Sequence, residues 1–152
     1  MRRYARNAFT MLLMLSACAA EDPEAALRAL IDAAEAAAES RDTGYFRDLI
    51  ADSYVGDRGI GREELIERIR AYFFINQSIE VVTRVTDIEM HGEDAANLVV
   101  LAGVLGRRSG NGALGNFDGE VYRLDLELIE SDGGWQVIGA RWARSLEVLR
   151  GD

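Results

Sequence analysis

From residue 24 to about residue 41, Leu27, Leu30, Ile31, Ala34 and Ala38 recur three and four positions apart, with Arg28, Asp32, Glu35 and Glu39 on the opposite face. That spacing predicts an amphipathic helix with one apolar stripe. Pro23 suits its first turn, and Glu24 complements its positive end. A shorter helix starts near Asp42 or Thr43, either a suitable cap, and turns Tyr45, Phe46, Leu49 and Ile50 inward. Tyr54 and Val55 then lead into Gly56-Asp57-Arg58-Gly59-Ile60-Gly61, a turn-rich connection. A third helix from about Arg62 to Ile75 places Leu65, Ile66, Ile69, Tyr72 and Phe73 on one face, with Glu64 in its first turn. Asn76 would extend that apolar face by one residue, and Phe74 points the other way.

At Ser78 the apolar period changes from about 3.6 to about 2 residues. Ile79, Val81, Thr83 and Val85 alternate with Glu80, Val82, Arg84 and Thr86, after which the apolar set switches phase to Ile88 and Met90. A phase switch within one strand predicts a bulge or bend. His91-Gly92-Glu93-Asp94 reads as a hairpin turn, and Ala95 to Leu105 as a strand apolar on both faces. Gly106 to Gly119, with five glycines, reads as a loop opening on Arg107 and Arg108. It is longer than an ordinary hairpin connection and reads as an exposed variable connection, with a lid on a pocket or a docking loop for an envelope partner as the functional alternatives. Tyr122, Leu124, Leu126 and Leu128 then alternate with Arg123, Asp125 and Glu127 as a half-buried strand. Asp132-Gly133-Gly134 makes a second tight turn, and Trp135 to Ala143 returns as the last strand. Three helices followed by a four-stranded antiparallel meander predict an α+β fold, with the helices packed on one face of a curved sheet.

Before these elements, Arg2, Arg3 and Arg6 precede a short uncharged stretch from Ala8 to Ala17, which ends at the chain's single cysteine. This is the layout of a secretory signal, and ten residues are too few to cross a hydrocarbon core, which needs roughly 20. Leu15-Ser16-Ala17-Cys18 resembles a bacterial lipoprotein lipobox at all four positions. The resemblance implies cleavage before Cys18, diacylglyceryl transfer to its thiol and acylation of the new amino terminus. Residues 1–17 are then the signal peptide, 18–23 a lipidated cysteine with a short tether, and 24–152 the domain. Ala19, rather than aspartate, follows the cysteine. By the lipoprotein rule this implies the periplasmic face of the outer membrane. The tether spans roughly 20 Å at most.

Composition narrows the partners. All 17 basic residues are arginine, against 26 acids, so the chain carries a net charge of −9, which becomes −12 once the signal is removed. Such a surface repels nucleic acid and anionic headgroups, so membrane attachment rests on the acyl chains of Cys18, which hold stably when there are two or more. With that cysteine lipidated no disulfide is available, and the domain relies on its core.

The element order, the bent first strand, the Tyr54 to Gly61 turn opening helix three, and the closing Gly134-Trp135-Gln136-Val137 strand together resemble the nuclear transport factor 2 superfamily, in its SnoaL-like branch. The resemblance covers about residues 24–144. It implies a cone in which the concave sheet and the third helix enclose a cavity, and it leaves function open, because this fold hosts isomerases, cyclases, dehydratases and binding modules. It also allows a homodimer through the convex sheet face, with Val121 and Ile129 as candidate contacts and Phe74 elsewhere.

Candidate chemistry is sparse. His91, the only histidine, sits in an exposed turn, no histidine-rich metal site can be built, and no cofactor is implied. The glycine-rich turn before helix three lacks a following lysine and leads into Arg62-Glu63-Glu64, whose carboxylates already complement the helix end. Tyr54, Tyr72, Phe73, Asn76 and Trp142 are expected to line the cavity with no ionisable group buried among them. That lining suits a small apolar ligand, and an envelope protein is the other partner considered. The alternative is an isomerase or lyase in which Asp52 or Asp57 acts with Tyr54 or Tyr72.

Overall fold

The computed structural model describes residues 22–108 and 117–144. Cys18, the signal segment and residues 145–152 lie outside the described residues. Three helices, α1 (Pro23–Ser40), α2 (Thr43–Leu49) and α3 (Arg62–Ile75), precede four strands, β1 (Asn76–Met90), β2 (Ala95–Arg108), β3 (Phe117–Ser131) and β4 (Gly134–Arg144). The strands form one antiparallel sheet in the order β1-β2-β3-β4, so the α+β meander is as the hydrophobic pattern predicts.

Local chemistry sets the helix ends. The Asp22 carboxylate accepts the Glu24 N–H at 3.1 Å, and the Asp42 carboxylate accepts the Tyr45 N–H at 3.2 Å. Asp42 rather than Thr43 is therefore the cap of α2. The connection before α3 is a single 3-10 turn at Asp57–Gly59, with Arg58 and Gly59 at positive φ of 59° and 77°. Gly59 adopts that conformation without the penalty a side chain would carry.

The bend in β1 falls where the apolar phase changes. Val85 pairs with Val100 and Asp87 with Val99, leaving Thr86 as the extra residue. A bulge there switches which face the alternate side chains enter, which keeps both the Ile79–Val85 set and the Ile88–Met90 set on the core side. The outer edge of β1 is covered by α1. Glu39 accepts the Val81 N–H at 3.1 Å, and Glu35 accepts the Thr83 N–H at 2.7 Å and the Thr83 hydroxyl at 2.6 Å. Glu35 and Glu39 are one helical turn apart, roughly 6 Å along the axis, and Val81 and Thr83 are two strand residues apart, roughly 6.8 Å. The two repeats match closely enough for successive carboxylates to reach successive edge amides, which blunts an otherwise open edge.

Packing differs between the two ends of the sheet. Near the 91–94 and 132–133 turns the core is solid, with Leu27, Ile66, Leu98 and Leu128 at most 1% exposed. Toward the start of β1 the concave face is hollow. Leu65, Ile69, Leu124 and Leu126, expected in the core, are only half-buried, and Tyr72 is 37% exposed. These side chains do face the sheet's concave side, but what they face is a cavity, so they retain accessible surface. Phe73 packs as expected, 8% exposed, with its ring 5.9 Å from that of Phe46.

The glycine-rich segment is a correction. Gly106 pairs with Asp118 and Leu105 with Gly119, so both ends of the expected loop belong to a long β2–β3 hairpin. Composition suggested a loop, and non-local pairing extended the strands into it. Of the homodimer contacts considered from sequence, Val121 is 50% and Phe74 90% exposed, while Ile129 is half-buried.

Candidate functional site

The hollow end of the sheet forms a cavity of about 680 Å³ between α1, α2, α3 and all four strands. Its floor comes from inward positions two residues apart on the first three strands, Ile79, Val81 and Thr83 on β1, Val100, Ala102 and Val104 on β2, and Leu124 and Leu126 on β3, with Val137, Ala140 and Trp142 on β4. Leu30, Ala34 and Ala38 of α1 and Phe46 and Leu49 of α2 close one side, and Leu65, Ile69, Tyr72 and Phe73 of α3 close the other. The small residues Ala34, Ala38, Ala102 and Ala140 leave room that larger side chains would fill. The volume is that of a small-molecule site, and the wall is mainly aliphatic and aromatic.

Tyr54, Tyr72, Phe73 and Trp142 all line this cavity. Asn76 does not. It ends α3 and begins β1 rather than extending the helix, is 2% exposed, and donates its side-chain N–H to the Tyr72 carbonyl at 2.9 Å. Once the backbone turns into strand geometry, the helical projection used to place this side chain no longer applies. Its Oδ1 is buried without a partner, beside Gly106, where a Cβ would lie 2.7 Å from both that oxygen and the Tyr72 hydroxyl.

The Tyr54 ring is part of the wall, but its hydroxyl is buried with no hydrogen-bond partner and lies against Gly56. Burial raises the pKa of this phenol and that of Tyr45, whose hydroxyl donates to the Leu30 carbonyl at 3.1 Å.

Neither aspartate considered for catalysis reaches the cavity. Asp52 has a 98% exposed side chain facing Arg62 at 3.5 Å, and Asp57 is paired with Arg58 at 3.8 Å. Asp57 borders instead a shallow notch of about 250 Å³ shared with Glu127, Gly139 and Arg141. The end of α2 and the turn beyond it direct these carboxylates to solvent. Arg62 anchors that region, donating to the Ile50 and Arg47 carbonyls at 2.8 and 2.7 Å.

Three charged residues absent from the expected lining face the cavity: Glu35, Arg68 and Glu120. Glu35 is held by Thr83 as described. Arg68 donates to Glu64 at 2.7 Å on the helix surface. Glu120 accepts the Tyr122 hydroxyl hydrogen on Oε2, and the Arg144 guanidinium sits 2.8 Å from its Oε1. The β3 alternation carried back by two residues from Tyr122 places Glu120 on the inward face, a signal obscured by its neighbourhood in a glycine-rich stretch. Glu35 lies on the flank of the α1 apolar stripe, one turn after Ile31. His91 is exposed in its turn, its Nε2 2.9 Å from the Asn97 amide nitrogen. Among the described residues, no three His, Cys, Asp or Glu side chains converge to hold a metal ion.

No family model matches the chain, and no curated protein does. Its backbone is nonetheless similar to those of several solved structures. A candidate scytalone dehydratase from Novosphingobium aromaticivorans aligns with a TM-score of 0.71 at 10% identity, covering 80% of this chain and 83% of that one. A nuclear transport factor 2-like superfamily protein from Salmonella enterica gives 0.64 at 14% identity over 80% and 90% of the two chains. A ketosteroid isomerase-like protein from Erwinia carotovora gives 0.63 at 17% identity over 82% and 97%. At these identities the likeness carries the fold and not the activity. The curved meander with three helices enclosing its concave face is the nuclear transport factor 2-like fold.

Proposed function

We propose that the protein is a lipid-anchored binding module of the cell envelope, tethered through acylated Cys18 at the periplasmic face of the outer membrane. Its ligand is a small, mainly apolar molecule held in the cavity. The cavity carries this reading: about 680 Å³ of space with a wall built mostly of aliphatic and aromatic side chains, a size and character that suit a compact molecule better than a protein surface. The anchor rests on the Leu15-Ser16-Ala17-Cys18 run.

Saturable binding of Nile red, a neutral apolar dye, to the soluble domain tests the cavity. The domain is expected to bind it with a large gain in fluorescence. Val104→Trp, which places a bulky side chain on the cavity floor, should remove that gain while leaving the fold intact by circular dichroism. Binding that is absent in the wild type, or unaffected by the substitution, sinks the reading.

Fold neighbours named for a dehydratase and an isomerase-like protein support acid–base chemistry as the second reading. For that chemistry the wall offers Glu120 with Tyr122, whereas Asp52 and Asp57 lie outside it.

A further inference from the structure

We infer that the cavity selects uncharged molecules bearing a hydroxyl, such as an alcohol or phenol, and rejects carboxylates, with Tyr122 and Glu120 as the groups that choose. This rests on the cavity being a ligand site and specifies what that site takes.

Each charged group on the wall is already engaged. Arg68 is committed to Glu64 at 2.7 Å, and its side chain is 58% exposed at the rim. Thr83 gives both its N–H and its hydroxyl hydrogen to Glu35. Tyr122 gives its hydroxyl hydrogen to one oxygen of Glu120, whose other oxygen lies 2.8 Å from the Arg144 guanidinium. A carboxylate only accepts hydrogen bonds, and a phenol whose hydrogen is committed can still accept one. Donation to Glu120 also polarises the Tyr122 oxygen, making it a better acceptor for a second donor.

The wall therefore presents oxygen acceptors within an apolar space. A ligand hydroxyl can donate to the Tyr122 oxygen. A carboxylate has no hydrogen to give and brings a negative charge toward Glu120 and Glu35. The low dielectric of the cavity strengthens that repulsion, and the negative surface of the domain adds to it.

Competition against Nile red separates this inference from the broader one. Decan-1-ol and decanoate, matched in chain length, are titrated at pH 8 into the wild type, Tyr122→Phe and Glu120→Gln, with the dye affinity determined in each. Decanol is expected to displace the dye at least tenfold more effectively than decanoate in the wild type. Tyr122→Phe should weaken decanol at least fivefold. Glu120→Gln, which leaves Arg144 without its carboxylate, should strengthen decanoate at least tenfold. Desolvation alone favours an alcohol over an acid in any apolar cavity, so the two variants carry the decision. If Tyr122→Phe binds decanol as the wild type does, or Glu120→Gln leaves decanoate unchanged, the selection is overturned while the cavity reading stands. If Nile red does not bind the wild type at all, both fall.

Discussion

One oxygen of Glu35, on α1, accepts two hydrogen bonds from Thr83 on β1, from its backbone N–H at 2.7 Å and its hydroxyl at 2.6 Å. This contact joins the first helix to the edge of the sheet across 48 residues of sequence. Glu35→Ala leaves a part-buried edge amide and a hydroxyl without their acceptor, and should destabilise the domain by about 1–3 kcal/mol. Glu35→Gln retains an acceptor and should lose less. Urea unfolding midpoints measure both, and an alanine variant as stable as the wild type would show the contact to be dispensable.

Tyr54 presents the opposite case, a buried hydroxyl with no partner. Removing it in Tyr54→Phe discards a polar group whose burial is uncompensated, so stability should be unchanged or should rise by up to about 1–3 kcal/mol. Burial raises the folded-state pKa of Tyr54 and of Tyr45. Their contribution to stability is thus complete below the unfolded tyrosine value of about 10 and lost as pH rises through the higher folded values. Thermal melts between pH 8 and pH 11.5 should show this alkaline loss, reduced but not abolished in Tyr54→Phe.

Gly106 is in extended strand, so its need for glycine comes from space rather than from φ. A Cβ there would lie 2.7 Å from both Asn76 Oδ1 and the Tyr72 hydroxyl. Gly106→Ala should cost about 1–3 kcal/mol through overpacking. The same substitution at Gly103, where the nearest atom is 3.8 Å away, should be tolerated, and comparing the two melting temperatures tests the distinction.

Phe73 joins the cavity wall to the smaller buried cluster with Ile79 and Val81. Phe73→Ala should destabilise by roughly 3–5 kcal/mol and also weaken Nile red binding. A variant that melts like the wild type would mean that this face of α3 does not pack as described.

Cys18→Ser tests the anchor. Fractionated cells should show the wild type in the outer membrane, and the variant either soluble in the periplasm or held as an uncleaved precursor. Intact-mass measurement of an unmodified Cys18 thiol in the membrane fraction would refute lipidation.

Much of the architecture was legible along the chain because it depends on near neighbours. Leu27, Leu30 and Ile31 make a helix stripe through spacing alone, Asp42 caps α2 three residues from its donor, and the phase change after Val85 marks a bulge wherever the strand is placed. Tyr72 and Phe73 follow from the apolar face of helix three and Trp142 from its place near the end of a strand, and these three, with Tyr54, line the cavity. Other features had no local signature. Gly106 and Gly119 lie in strands because their cross-strand partners hold them there, and Asn76 turns aside because the helix ends at its own position. Whether an inward face meets a packed core or open space is decided by how far three helices stand off a curved sheet. That distance left Tyr72 and Ile69 facing a cavity, brought Glu120 and Glu35 onto its wall, and left Asp52 and Asp57 in solvent. Periodicity gives the direction in which a side chain points, and only the assembled elements determine what it finds there.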